Sequence, residues 1–132
     1  MNTFPTHALI GVVDDDESIR SGTTSLLRSA GYATESFGSA EAFLESGDHR
    51  RFACVVADIQ MPGMSGIELA DKLGNENPPT PVVLVTARTE KDILAHARES
   101  KASFLLCKPF DGDRLLNHVQ SLIARRSADG RL

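Results

Sequence analysis

The chain has 132 residues, a net charge of −4 and a pI near 5.5. That length suits one domain with one core. Hydrophobic residues at 41% and charged residues at 24% are ordinary for a soluble globular protein, and the acidic balance argues against nucleic acid as a direct partner, since phosphate binding wants a basic face.

The opening MNTFPTH has no basic segment. The apolar run after it, ALIGVV (8–13), is too short for a signal-peptide core or a membrane span, so the chain reads as cytoplasmic with no membrane partner. ALIGVV is continuously apolar rather than alternating, the pattern of a strand buried on both faces. It ends abruptly in Asp14, Asp15 and Asp16. Ile19, Leu26, Leu27 and Ala30 then recur at helical spacing, with Gly31 as the stop. YATESF (32–37) is a weaker second strand, and Ser39 caps a short helix carrying Ala40, Phe43 and Leu44. FACVVA (52–57) is the third strand. Ile67, Leu69, Ala70 and Leu73 mark the third helix, which GNENPPTP ends. PVVLV (81–85) is the fourth strand, with Pro81 at a first position where no ladder N–H is needed. Thr89 to Asp92 resembles a capping box with Asp in place of Glu, opening a helix with Ile93, Leu94 and Ala97. SFLLC (103–107) is the fifth strand. Leu115, Leu116, Val119, Leu122 and Ile123 form the clearest amphipathic stripe, the fifth helix.

Strand and helix thus alternate five times. The fold class is α/β: a (βα)5 doubly wound domain, a five-stranded parallel sheet with helices on both faces. Residues 1–126 form the domain, and residues 127–132 read as a flexible tail or the start of a linker. Cys54 and Cys107 lie in apolar runs and are expected as buried free thiols. His7, His49, His96 and His118 show no metal spacing and read as surface residues. Met61 and Met64 read as loop packing, and Arg125 with Arg126 are too few for a nucleic-acid patch.

Ligands of open α/β sheets bind at the carboxyl ends of the strands. The first strand ends in Asp14 and Asp15, the third in Asp58, the fourth in Thr86 and the fifth in Lys108. Singly, each has a bland reading: a first-turn acid, a turn residue, a helix cap, a solvated charge. Jointly they put three carboxylates, a hydroxyl and an ammonium on one edge. Close carboxylates raise one another's pKa unless a cation offsets them. A hard divalent ion prefers such oxygens, and Mg²⁺ completes its shell with water and phosphate. The set is equipped for phosphoryl transfer with an aspartate as nucleophile. Asp16 is left as a helix cap.

The motifs VVDDDES (12–18), VVADIQMPGMSGIEL (55–69), VVLVTAR (82–88) and LLCKPF (105–110) resemble, in order, the response-regulator receiver family, the CheY-like domains of two-component signalling, and most closely FixJ-like receivers. The resemblance covers residues 8 to 124. It implies strand order 2-1-3-4-5. It implies that Asp58 is the phosphoacceptor. Mg²⁺ (or Mn²⁺) would be held by Asp15, Asp58 and the Gln60 carbonyl, with Asp14 acting through water. Thr86 would hydrogen-bond the phosphoryl group and Lys108 pair with it. Met61, Pro62, Gly63 and Gly66 would shape the loop after Asp58, and a cis peptide would precede Pro109. The implied donor is a phosphohistidine on a sensor histidine kinase or phosphotransfer protein. The implied output face is the fourth helix, fifth strand and fifth helix, docking a downstream partner, an output domain or a second copy. Gln60, Ala87, Arg88 and Leu105 flank the site as switch or tuning positions.

Two residues depart from the pattern. Leu105 stands where an aromatic usually turns inward on activation, and Phe104 cannot simply replace it because neighbouring strand residues face opposite ways. Lys101 stands where Gly is frequent; in a left-handed conformation it would cost roughly 1 kcal/mol. These departures keep a second reading open, a pseudo-receiver that binds partners without phosphorylation. An aspartyl-phosphate phosphatase, a true enzyme, is disfavoured because Gln60 stands where a second acid is expected. A dinucleotide enzyme is disfavoured because no Gly-rich fingerprint follows the first strand.

Overall fold

The computed structural model describes residues 8–128, so the readings of MNTFPTH, of His7 and of residues 129–132 lie outside it. Five strands alternate with five helices: β1 (Leu9–Val13), α1 (Glu17–Ser29), β2 (Ala33–Phe37), α2 (Ala40–Leu44), β3 (Cys54–Asp58), α3 (Gly66–Gly74), β4 (Val82–Thr86), α4 (Lys91–Glu99), β5 (Phe104–Cys107) and α5 (Gly112–Ala128). A short 3-10 turn, His49–Arg51, precedes β3. All strand pairings are parallel, in the order β2-β1-β3-β4-β5. The α/β doubly wound architecture and the strand order are as expected.

Alternate strand residues feed two cores, which explains the unbroken apolar runs. Val55, Ala57, Val82 and Leu84 face α2, α3 and α4 with Phe43, Leu69 and Leu73. Cys54, Val56, Val83, Val85 and Leu106 face α1 and α5 with Leu27, Leu115 and Val119. Phe43 is fully buried and meets Phe37 edge-on at 5.3 Å and Phe52 at 5.0 Å. Arg126 is structural, its guanidinium donating to the Phe52 carbonyl at 2.6 Å. The peptide before Pro109 is cis, as is Asn77–Pro78.

Several expectations need correction. Ile19 has helical spacing but is 38% exposed, while Leu27 further along α1 is buried. Cys107 is exposed at the end of the edge strand; only Cys54 is buried, its thiol pushed up to about 12 by that burial. His49 is not a free surface residue: its ring stacks on Phe43 at 5.0 Å, and its nitrogens face the Glu76 carboxylate and the Leu44 carbonyl. The conditional cost at Lys101 does not arise, since among the described residues only glycines have positive φ. Thr89–Asp92 is not a capping box: α4 begins after Glu90, which makes no side-chain cap.

The capping box stands instead at α3. Ser65 Oγ accepts the Glu68 N–H at 3.1 Å and Glu68 Oε1 accepts the Ser65 N–H at 2.9 Å. Ser65→Ala is expected to cost about 1 kcal/mol in denaturant unfolding, and Thr89→Ala close to nothing. Equal costs at the two positions would show that this assignment is wrong.

Candidate functional site

The carboxyl edge of the sheet gathers the candidate residues. Asp14 directly follows β1 and is buried at 3% exposure, while Asp58 closes β3 half-buried and Asp15 is exposed. One carboxylate oxygen from each lies within 4.8 Å of the others. Asp14 Oδ1 accepts the Asp16 N–H at 2.9 Å, and Lys108 Nζ stands 3.9 Å from Asp14 Oδ2. Asp16 itself caps α1 by accepting the Ser18 and Ile19 N–H groups. The triple aspartate therefore divides: Asp14 and Asp15 gather with Asp58, and Asp16 caps α1. Thr86 closes β4, buried, and its Oγ1 accepts the Arg88 N–H at 2.9 Å. That bond leaves the hydroxyl proton free to donate. The Lys108 N–H donates to the Thr86 carbonyl at 2.7 Å, tying the β5 end to the β4 end.

Charge decides the chemistry. Burial pushes the Asp14 carboxyl above its usual range, opposed by the Asp16 N–H and by Lys108. Burial first, then Asp14, pushes Asp58 up, and Lys108 opposes this. One ammonium does not offset three carboxylates. The donor set fits a divalent cation: octahedral Mg²⁺ spaces its ligand oxygens about 3 to 4.2 Å apart, so oxygens within 4.8 Å reach it with slight closure or through water.

Around this cluster, Gln60, Ala87 and Arg88 are exposed. Arg88 pairs with Glu90, and that guanidinium holds the Glu90 carboxyl down to about 2. Leu105 packs among the core residues on the α2–α4 side, while Phe104 lies on the opposite side and stacks on His118 at 4.0 Å. Phe104 thus does not occupy the place of Leu105.

Arg20 was not singled out in the sequence. Its Nη1 donates to the Asp14 carbonyl at 2.7 Å, bracing the end of β1. The available signal was a lone basic residue one helical turn beyond Asp16. Glu41 was also missed; it grips the loop after Asp58 through the Met64 N–H.

A family model described as the response regulator receiver domain matches residues 10–120. The chain is 37% identical over 114 residues to the transcriptional regulatory protein FixJ of Bradyrhizobium diazoefficiens, covering 86% of this chain and 56% of that protein. It is 32% identical over 128 residues to FixJ of Azorhizobium caulinodans, covering 97% and 61%. Among solved structures, the BeF3-activated DrrB receiver domain matches with a TM-score of 0.80 and 29% identity, covering 89% of this chain and 98% of that one. The chain belongs to the response regulator receiver family of two-component signalling, a family of signalling proteins rather than classical enzymes. It spans a little over half the length of these curated relatives. Among the described residues, no helix is long and apolar enough to cross a membrane.

Proposed function

We propose that this receiver accepts a phosphoryl group on Asp58 in the cytoplasm. The observation that carries the reading is the meeting of Asp14, Asp15 and Asp58 within 4.8 Å, beside Lys108. In the transfer, an Asp58 carboxylate oxygen forms a bond to phosphorus. The phosphorus–nitrogen bond of a phosphohistidine donor on a kinase or phosphotransfer protein breaks, and its electron pair returns to the imidazole. The Thr86 hydroxyl and the Lys108 ammonium would receive the charge of the phosphoryl oxygens. Asp15, Asp58 and the Gln60 carbonyl would hold Mg²⁺ or Mn²⁺, with Asp14 through water. The bound ion would supply charge neutralisation at the transferring group.

Output would pass through α4, β5 and α5 to a protein partner, an output domain or a second copy, by a shift between two conformations. Leu105, already packed on the core, would make that shift smaller than one in which an aromatic ring turns inward.

The test is to incubate the protein with a small-molecule phosphodonor and Mg²⁺ and read the intact mass. One added phosphoryl group is expected, and none on Asp58→Asn. No adduct on the wild type, under conditions that preserve an acyl phosphate, would move the assignment to a partner-binding module that works without phosphorylation.

Gln60 and Arg88 stand two residues beyond Asp58 and Thr86 and would screen the acyl phosphate from water. Arg88→Ala and Gln60→Ala are each expected to shorten its lifetime several-fold in a dephosphorylation time course. Unchanged rates at both would end this idea.

A further inference from the structure

The second core-facing helix reaches across to the loop that follows Asp58. Glu41 lies on α2, exposed, and its Oε2 accepts the Met64 N–H at 2.8 Å. The same carboxylate lies directly over Gly63. A Cβ at Gly63 would stand 2.6 Å from Oε2 and 3.3 Å from Cδ, and Gly63 is left-handed with φ 78°. The left-handed turn demands a glycine there, and its missing Cβ lets the Glu41 carboxylate lie close over the loop. The far end of the loop is already anchored. The Gly66 N–H donates to the Ile59 carbonyl at 3.1 Å, and Ser65 belongs to the α3 capping box. Met61 is buried in the core and Met64 packs against it, while Gln60, Pro62 and Gly63 are exposed, so Glu41 adds a polar hold to the exposed stretch between the two methionines. The Met64 amide, and then its own main-chain amide, hold the Glu41 carboxyl below its usual range.

We propose that Glu41 is a positioning residue for the cation site: a latch from α2 that holds the loop after Asp58 so that the Gln60 carbonyl faces the Asp15 and Asp58 carboxylates. The inference rests on the assignment of those three residues as cation ligands. Its physical basis is entropy. A loop fixed before the ion arrives loses less conformational freedom on binding. Glu41 is exposed and covers no core residue, so its removal leaves Ala40 and Phe43 packed and the fold intact.

The variants are Glu41→Ala and Glu41→Gln, titrated with Mg²⁺ at constant ionic strength while the amide shifts of Asp58 and Gln60 are followed by NMR. Exchange of the Met64 amide is measured in parallel. Glu41→Ala is expected to bind Mg²⁺ about fivefold more weakly, the scale of one lost hydrogen bond, with faster Met64 exchange and a metal-free melting temperature lowered by no more than a few degrees. Glu41→Gln keeps an acceptor oxygen without the charge and is expected to recover most of the affinity. Equal Mg²⁺ affinity in Glu41→Ala and wild type would overturn the latch while leaving the cation site standing. Glu41→Gln as weak as Glu41→Ala would assign Glu41 an electrostatic role and overturn the latch as well. Absence of a saturable shift in the wild type would instead overturn the cation site itself, and the latch with it.

Discussion

Asp58→Asn and Asp14→Asn are each expected to make the metal-free protein more stable at neutral pH, and to remove most of the stabilisation that Mg²⁺ gives the wild type. Both carboxyls are raised in the folded state, chiefly by burial. The sign follows from linkage. A folded-state pKa above the unfolded one means that the native state binds more protons in that window. Stability then falls as pH rises from the ordinary aspartate range through the raised values. An asparagine removes the charge and most of that loss. A cation that binds only the folded site acts in the opposite direction. At about a hundredfold its dissociation constant it adds about 2.7 kcal/mol. Thermal unfolding between acidic and neutral pH, with and without Mg²⁺, checks both halves. Wild type without metal should melt progressively lower as pH rises, and Asp58→Asn should show a flatter profile. The triple aspartate supplies an internal control. Asp15→Asn should lose the Mg²⁺ gain, whereas Asp16→Asn should keep both that gain and the α1 cap, since an asparagine side-chain oxygen still accepts the Ser18 and Ile19 N–H groups. An Asp58→Asn variant less stable than metal-free wild type would refute the electrostatic account.

This division of the aspartates was legible in the sequence for a physical reason. A parallel sheet covered on both faces writes its strands as unbroken apolar runs, so the first polar residue after each run marks the carboxyl edge. Asp14, Asp58, Thr86 and Lys108 follow such runs directly, and no tertiary knowledge is needed to find them. Residues whose role depends on a distant partner were hidden. Glu41 acts on Met64, 23 positions away, and His49 on Glu76, 27 away. No local periodicity encodes either pairing. The expected box at Thr89 and the observed one at Ser65 show a subtler limit. Ser65-x-x-Glu68 and Thr89-x-x-Asp92 carry related signatures. Glu90 becomes the residue before α4, and its carboxylate is taken by Arg88 and the Thr89 N–H. Cys107 misled because an apolar run does not say which strand is at the edge. β5 has only β4 beside it, so a residue at its end can face water.

Gly66→Ala is expected to cost on the order of 3 kcal/mol, the upper range for overpacking, and to slow phosphorylation of Asp58 about a hundredfold, the scale of an ångström's misplacement at a reacting group. Gly66 begins α3 where the helix passes against the end of β3. A Cβ there would stand 2.2 Å from the Asp58 carbonyl oxygen, 2.9 Å from its carbon and 3.1 Å from the Ile59 Cα. Every one of these atoms is main chain, so no rotamer change relieves the contact. Either α3 lifts, loosening Ile67, Leu69 and Leu73 from the core, or the end of β3 moves and carries the Asp58 carboxylate away from Lys108 and Thr86. Gly11 provides the contrast within the same sheet. A Cβ there would meet the Phe43 ring at 3.2 Å and the Phe52 ring at 3.3 Å. Rings can tilt by a few tenths of an ångström, so Gly11→Ala should cost nearer 1 kcal/mol and leave phosphorylation at its wild-type rate. Urea unfolding and initial rates with a small-molecule phosphodonor measure both effects on both variants. A Gly66→Ala protein that phosphorylates at the wild-type rate would mean that the close approach of α3 does not set the position of Asp58. Equal rate losses in the two variants would trace the effect to general destabilisation rather than to the geometry at the end of β3.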